Sequence, residues 1–203
     1  MIDLYRRTIV FFLITVVLGG AASAVRAATP PRMRPYTGIG VVVFRPSGHH
    51  QGRDLALQLY EEPGLLRVDV LNNPRLSGNE WVFGMVDGAS PLIVSARKDG
   101  WLRVFYDDAG RQAWIDPLYK GSFQPWDEYL RLQTVRMLPG LQPHYYRLQQ
   151  QPKGKQLATL APKQVFKVLT IEDSWGMVLT DQALIGWLRW RDEDGRLLVG
   201  INP

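Results

Sequence analysis

The sequence has no cysteine, which excludes a disulfide framework, a thiolate nucleophile and an acylated lipoprotein cysteine. Histidine is scarce at three residues, and the only cluster is His49-His50, after the turn sequence Pro46-Ser-Gly48. Neighbours on a strand point to opposite faces, so this pair reads as loop histidines rather than as a metal site. Also missing are a Gly-x-Ser-x-Gly elbow, a His-Glu-x-x-His pair and a phosphate-binding Gly-x-x-x-x-Gly-Lys-Ser/Thr loop. These absences point to a non-enzymatic chain, with no catalytic residue, metal or cofactor expected. The net charge is +5, yet no run of five or more Lys and Arg occurs. Such scattered charge favours an anionic polymer or membrane surface over nucleic acid, which is not expected as a partner.

Adjacent carboxylates occur at Glu61-Glu62, Asp107-Asp108 and Asp192-Glu193-Asp194, each at a turn sequence. Turn geometry and solvation account for acids there. A glycosidase would need two of them facing each other across a cleft.

One apolar run stands out, at the N-terminus. Arg6 and Arg7 precede Thr8 to Leu18, followed by Gly19-Gly20 and the small residues Ala21 to Ala24. A basic start, a short apolar stretch and an Ala-x-Ala site describe a secretory signal, cut after Ala24 or Ala27. The alternative is an uncleaved inner-membrane anchor, since Thr8 to Val25 is uncharged over close to the roughly 20 residues a spanning helix needs. The expected location is therefore outside the cytoplasm, in the periplasm, with membrane contact only if this segment is retained. Cleavage after Ala24 removes Arg6, Arg7 and Asp3, a net loss of one positive charge, and the remainder stays basic.

Beyond Thr29-Pro-Pro-Arg-Met-Arg-Pro35, a proline-rich tether, the chain reads as strands and turns. Ile39 to Phe44 is β-branched, while Leu55 to Tyr60 and Leu65 to Leu71 alternate apolar and polar residues. Glu80 to Val86, Leu92 to Ala96, Trp101 to Tyr106 and Gln112 to Ile115 follow, parted by Asp87-Gly88, Lys98-Asp99-Gly100 and Asp107 to Gly110. Pro125 to Leu138 reads either as a short helix, with Asp127 and Glu128 early and Arg131 and Arg136 late, or as a strand over Leu130 to Leu138. Strands resume at Tyr145 to Gln149, Gln156 to Leu160, Val165 to Ile171, Gly176 to Leu179, Ile185 to Arg189 and Leu197 to Ile201, with a hairpin turn at Asp194-Gly195.

Two phrases repeat. Trp101-Leu-Arg-Val-Phe-Tyr-Asp-Asp-Ala-Gly-Arg-Gln-Ala-Trp114-Ile115 matches Trp175-Gly-Met-Val-Leu-Thr-Asp-Gln-Ala-Leu-Ile-Gly-Trp187-Leu188. Around them, Leu59 to Gly64 matches Leu148 to Gly154, Val94 matches Val168, and Lys98-Asp99-Gly100 matches Glu172-Asp173-Ser174. Self-similarity at this scale marks a duplicated β module. The pattern of a strand ending at a proline turn, a valine strand, an acidic turn before tryptophan and a closing Gly-Trp-Val-like strand resembles the bacterial SH3-type (SH3b) domain. The first copy departs from it in carrying Ala113 before its closing tryptophan. It also has a longer stretch from Pro63 to Trp101, expected as an extra hairpin around Asn72 to Val86.

The expected fold is all-β, two tandem small SH3-like barrels joined by a connector with room for a short helix. The divisions are a signal (1–24), a tether (25–37), a first module (38–117), a connector (118–143) and a second module (144–203). Small barrels have little core, so Trp101, Trp114, Trp175 and Trp187 are expected to be mainly structural. The resemblance implies recognition of peptidoglycan or of an envelope protein, a targeting or scaffolding role without catalysis. The alternatives are an assembly subunit packed on another envelope protein and, more remotely, a periplasmic hydrolase. In a regular strand Trp187 and Trp190 face opposite ways, which makes Trp190 a surface candidate, with Arg189, Arg191, Tyr145, Tyr146 and, in the extra hairpin, Trp81. The competing reading has Trp190 covering a barrel end or the contact between modules. Oligomeric state is not legible in the sequence.

Overall fold

The computed structural model describes residues 33–44, 56–72, 79–84, 90–107, 109–117, 121–131, 133–162 and 164–201. The signal segment, the first part of the tether and His49-His50 lie outside these residues. No helix among the described residues is long and apolar enough to cross a membrane.

The described chain is nearly all β, with fourteen strands in two antiparallel sheets of seven. The first sheet holds β1 (Gly40–Phe44), β2 (Ala56–Glu62), β3 (Leu65–Asn72), β4 (Leu92–Lys98), β5 (Trp101–Phe105), β6 (Gln112–Ile115) and β7 (Gly121–Pro125). The second holds β8 (Thr134–Met137), β9 (Arg147–Gln149), β10 (Gln156–Thr159), β11 (Val165–Glu172), β12 (Trp175–Thr180), β13 (Ile185–Arg189) and β14 (Val199–Ile201). Their orders are β3-β2-β6-β5-β4-β1-β7 and β10-β9-β13-β12-β11-β8-β14, the same path taken twice. The duplication extends to detail. Register shifts fall between Val94 and Ala96 in β4 and between Val168 and Thr170 in β11. The two turn aspartates, Asp99 at φ 48 and Asp173 at φ 51, both take the left-handed conformation that Asp tolerates better than most residues.

Within the segment expected as a connector, 118–143, the described residues hold the short helix it had room for and also give a strand to each sheet. β7 pairs with β1 along its whole length, from Gly40 opposite Pro125 to Phe44 opposite Gly121. β8 lies between β11 and β14. Between them, α2 (Trp126–Arg131) carries Asp127 and Glu128 in its first turn and Arg131 in its last. The helical and strand readings of this stretch thus each hold for one half. The second copy begins at β8, before the expected boundary at 144.

The expected strand over Glu80 to Val86 is also corrected. Glu80–Phe83 forms α1, a single turn in which the N–H groups of Val82 and Phe83 both donate to the Asn79 carbonyl. A strand would point these neighbours to opposite faces, whereas one helical turn buries both, at 0% and 2% exposure. Among the described residues of the expected extra hairpin, Asn72 ends β3 and residues 79–84 hold a helical turn that packs on β14. A Cβ built on Gly200 would lie 2.8 Å from the Val82 carbonyl oxygen, so glycine permits this approach.

Two apolar clusters fill the fold. Val42, Phe44, Leu57, Leu59, Leu92, Val94, Leu102, Val104, Ala113 and Ile115 form the interior of the first module. The opposite faces of β1 and β4 contribute Val41 and Ile93 to a larger cluster with α1, α2 and the second module. Strands buried on both faces read as continuous apolar runs, which explains Gly40-Val-Val-Val-Phe44 and Leu92-Ile-Val94.

The described end of the tether is not extended free chain. Tyr36 bridges Arg196 antiparallel, Thr37 N–H donates to the Gly195 carbonyl at 2.8 Å, and Leu197 N–H donates to the Pro35 carbonyl at 3.0 Å. Arg34 reaches the Asp192 carboxylate at 2.6 Å, and the Arg196 guanidinium lies 4.0 Å from the centre of the Tyr36 ring. This segment straps the second module's terminal hairpin before the chain enters β1.

Candidate functional site

Proline turns and alternating strands set up a cavity of about 250 Å³ on the second module, lined by His144, Tyr145, Arg147, Gln149, Lys153, Trp175, Arg189 and Glu193. A 3₁₀ turn, Pro143–Tyr146, delivers His144 and Tyr145, whose rings lie 4.0 Å apart between centroids. β9 supplies Arg147 and Gln149, and the turn after Pro152 supplies Lys153 at φ 60. Trp175 opens β12 directly opposite Arg189 on β13. Next to them, a Cβ at Gly186 would meet Leu148 at 2.7 Å and the Gln149 carbonyl at 2.9 Å, so glycine lets β13 close on β9.

Charge is organised around Glu193. Its carboxylate accepts from Tyr145 Oη at 2.7 Å and pairs with the Arg189 guanidinium, which also lies 5.2 Å from the centre of the Trp175 ring. The Tyr145 hydrogen bond, then the backbone N–H of Glu193 itself and more weakly the Arg189 charge, hold the Glu193 carboxyl below its ordinary value. In return, burial and then the bond to Glu193 push the Tyr145 phenol up to about 12. Arg147 and Lys153 are exposed and make no ion pair among the described residues. Gln149 Oε1 is buried without a hydrogen-bond donor, so an acceptor is left unsatisfied at the cavity. The site therefore offers a buried acceptor, an aromatic wall and a cationic rim, fitted to a ligand carrying both an N–H or O–H donor and negative charge.

Of the six residues singled out from sequence, Tyr145 and Arg189 come together here. Trp190 is corrected from a surface candidate: it is 3% exposed, packs against Trp126 in the core shared by the modules, and donates through Nε1 to the Asp173 carbonyl at 2.9 Å. The competing reading, a contact between modules, describes its place. Arg191 lies over the Trp190 ring at 5.1 Å and reaches Ser174 Oγ at 3.2 Å. Tyr146 Oη donates to the Leu138 carbonyl at 2.9 Å, and Trp81 packs half-buried on the same core. None of these four lines the cavity. Among the shared tryptophans, Trp114 and Trp175 are buried at 8% exposure each, while Trp101 and Trp187 are half-buried.

His144, Arg147, Gln149, Lys153, Trp175 and Glu193 escaped the sequence reading. The signal lay in comparing the copies position by position. Gln149 stands opposite Trp187 as Tyr60 stands opposite Trp114, and Arg189 stands opposite Trp175 where the first copy has Asp116. In the first module the Tyr60 ring meets Trp101 edge-on at 5.2 Å, and its hydroxyl donates to Gln58 at 2.6 Å. An aromatic ring thus lies against that tryptophan, whereas Gln149 and Arg189 leave a cavity beside Trp175.

Two turn aspartates, Asp192 and Asp107, serve structure. Asp192 Oδ1 accepts from the N–H groups of Asp194 and Arg196, and Asp107 binds Arg111. Among the described residues no three His, Cys, Asp or Glu side chains gather as a metal set.

No family model matches the chain, and no curated protein matches it. Among solved structures it is similar to NlpC2 from Trichomonas vaginalis, with 9% identity and a TM-score of 0.34, over 79% of this chain and 48% of that one. The chain thus spans about half the length of that structure.

Proposed function

We propose that the chain is a non-enzymatic, exported protein of the cell envelope, built from two SH3-like modules of the SH3b type, and that its second module binds peptidoglycan. The observation that carries this is the cavity beside Trp175, where Gln149 Oε1 is buried without a hydrogen-bond donor and Arg147 and Lys153 form a cationic rim. Peptidoglycan combines N-acyl amides, sugar hydroxyls and free peptide carboxylates. Its amides and hydroxyls supply the donor that Gln149 lacks, its carboxylates suit the rim, and its sugar or peptide faces suit Trp175 and Tyr145.

The test is retention on insoluble peptidoglycan. The wild-type protein should sediment with the polymer, and Arg147→Glu with Lys153→Glu should return it to the supernatant while leaving thermal unfolding unchanged, since both side chains are exposed. Equal recovery of wild-type protein in the supernatant with and without polymer would sink the reading. Stoichiometric cross-linking to another envelope protein in its place would favour an assembly subunit.

A further inference from the structure

The two copies end their sheets differently. β10, the edge strand of the second sheet, is four residues long and reads Gln156-Leu-Ala-Thr159. Edges this short discourage pairing with other chains. Its counterpart β3 is eight residues long and outermost in the first sheet, pairing with β2 alone among the described residues. Along it Leu65, Leu66, Val68 and Val70 are 67%, 69%, 50% and 38% exposed. Val70 N–H donates to the neighbouring Asp69 carboxylate at 2.7 Å. This is a long, exposed and largely apolar edge on which a backbone donor meets an exposed carboxylate.

The sequence of that edge says what fits it. Leu65-Leu-Arg-Val-Asp-Val-Leu71 keeps its order of apolar and charged positions in both directions about Val68, with Arg67 and Asp69 exchanging places. Laid antiparallel against a second copy with Val68 facing Val68, it sets Leu66 against Val70, Leu65 against Leu71, and Arg67 against Asp69, twice by symmetry. A slip of one residue either way sets Asp69 against Val68 or Leu66, and Arg67 against Val70 or Val68, so charges lose their partners. The overlap takes in β3 from Leu65 to Leu71, and its centre is the residue skipped where the β2 register shifts between Leu59 and Tyr60.

We infer that β3 is a self-association edge, along which two copies of this chain pair antiparallel about a twofold axis at Val68, held by reciprocal Arg67–Asp69 pairs. In that pairing Asp69 exchanges its bond to Val70 N–H for the partner's Arg67, and Val70 N–H becomes available to the facing strand. Twofold contacts of this kind use the same patch on both copies, as the symmetric order of apolar and charged positions requires.

The absence of cysteine makes the test clean. Val68→Cys, introduced into the full chain, should form a disulfide-linked dimer under mild oxidation, because directly facing residues lie within disulfide reach. Leu157→Cys, on the other edge and 45% exposed, should stay monomeric. In sedimentation of the purified protein, Arg67→Asp and Asp69→Arg should each weaken the dimer about tenfold or more by opposing like charges, and the double exchange should restore it. These side chains are exposed, so unfolding temperatures should match the wild type, which reports that each variant is folded. The inference fails if the wild type is monomeric at every concentration reached, if Leu157→Cys cross-links as readily as Val68→Cys, or if the double exchange does not recover association.

Discussion

Trp126 and Trp190 meet 5.6 Å apart between ring centroids, tilted by 44°, where the two modules share their core. Trp126 comes from the helix that follows the first sheet and also donates through Nε1 to the Thr37 carbonyl at 2.7 Å. Trp190 comes from the end of the second module. The pair ties the first sheet's exit, the N-terminal strap and the second sheet into one compact unit, residues 32–203.

Trp190→Ala should therefore act on stability. Removing a large buried aromatic costs about 3–5 kcal/mol, and the Asp173 carbonyl would lose its donor as well. Denaturant unfolding should show the loss, and any binding defect should follow the unfolded fraction. A folded Trp190→Ala protein of wild-type stability would mean that the tryptophan contact is dispensable.

The N-terminal strap gives a pH dependence with a defined sign. Burial raises the Asp192 carboxyl, but the Arg196 N–H and the Arg34 guanidinium outweigh it and hold the group below its ordinary 3.8. Its folded value is depressed, so its contribution to stability is complete above the unfolded value and is lost as pH falls through the folded one. The window lies below pH 3.8. Asp192→Asn should be less stable at neutral pH and should show a shallower decline in acid, followed by thermal unfolding across a pH series. An acid limb identical to wild type would remove Asp192 from the account.

The Tyr145–Glu193 pair is open to direct titration. The Tyr145 hydroxyl is the largest influence lowering Glu193, so Tyr145→Phe should move the Glu193 carboxyl upward, seen by NMR of its side-chain carbon. In the wild type the Tyr145 phenol should ionise at about 12 by ultraviolet titration. In Glu193→Gln it should fall only part of the way back, because burial is the larger cause. A full return would place the cause in the hydrogen bond alone.

Much of this fold is legible in the sequence because its strands carry strong signals. Leu57 and Leu59 alternate with Ala56 and Gln58, the Asp99 and Asp173 turns carry the residue their backbone calls for, and the tryptophan phrases locate β5, β6, β12 and β13. β7 and β8 carry weak ones. Gly121-Ser-Phe-Gln-Pro125 has no β-branched residue, and Thr134–Met137 is only four residues long, so each is fixed by the strand beside it. α1 is likewise set by the core that Val82 and Phe83 enter. Period-2 reasoning on Trp187 and Trp190 failed because β13 ends at Arg189, and beyond it the chain turns into the strapped hairpin. The cavity was hidden for a different reason: its residues are ordinary polar types, given meaning only by what the other copy has in their places.

That comparison supplies the sharpest test of the site. Gln149→Tyr places in the second module the residue that the first has at Tyr60, which meets Trp101 edge-on at 5.2 Å. A ring against Trp175 would fill the cavity, remove the unsatisfied Oε1 and add an aromatic contact of about 0.5–1.5 kcal/mol. Stability should hold or rise while retention on peptidoglycan falls. Gln149→Glu keeps the shape but buries a negative charge in the cavity that Glu193 also lines, so it should weaken both. Together the two variants separate occupancy of the cavity from its electrostatics. If Gln149→Tyr binds peptidoglycan as the wild type does, with unfolding unchanged, the ligand lies elsewhere on the protein.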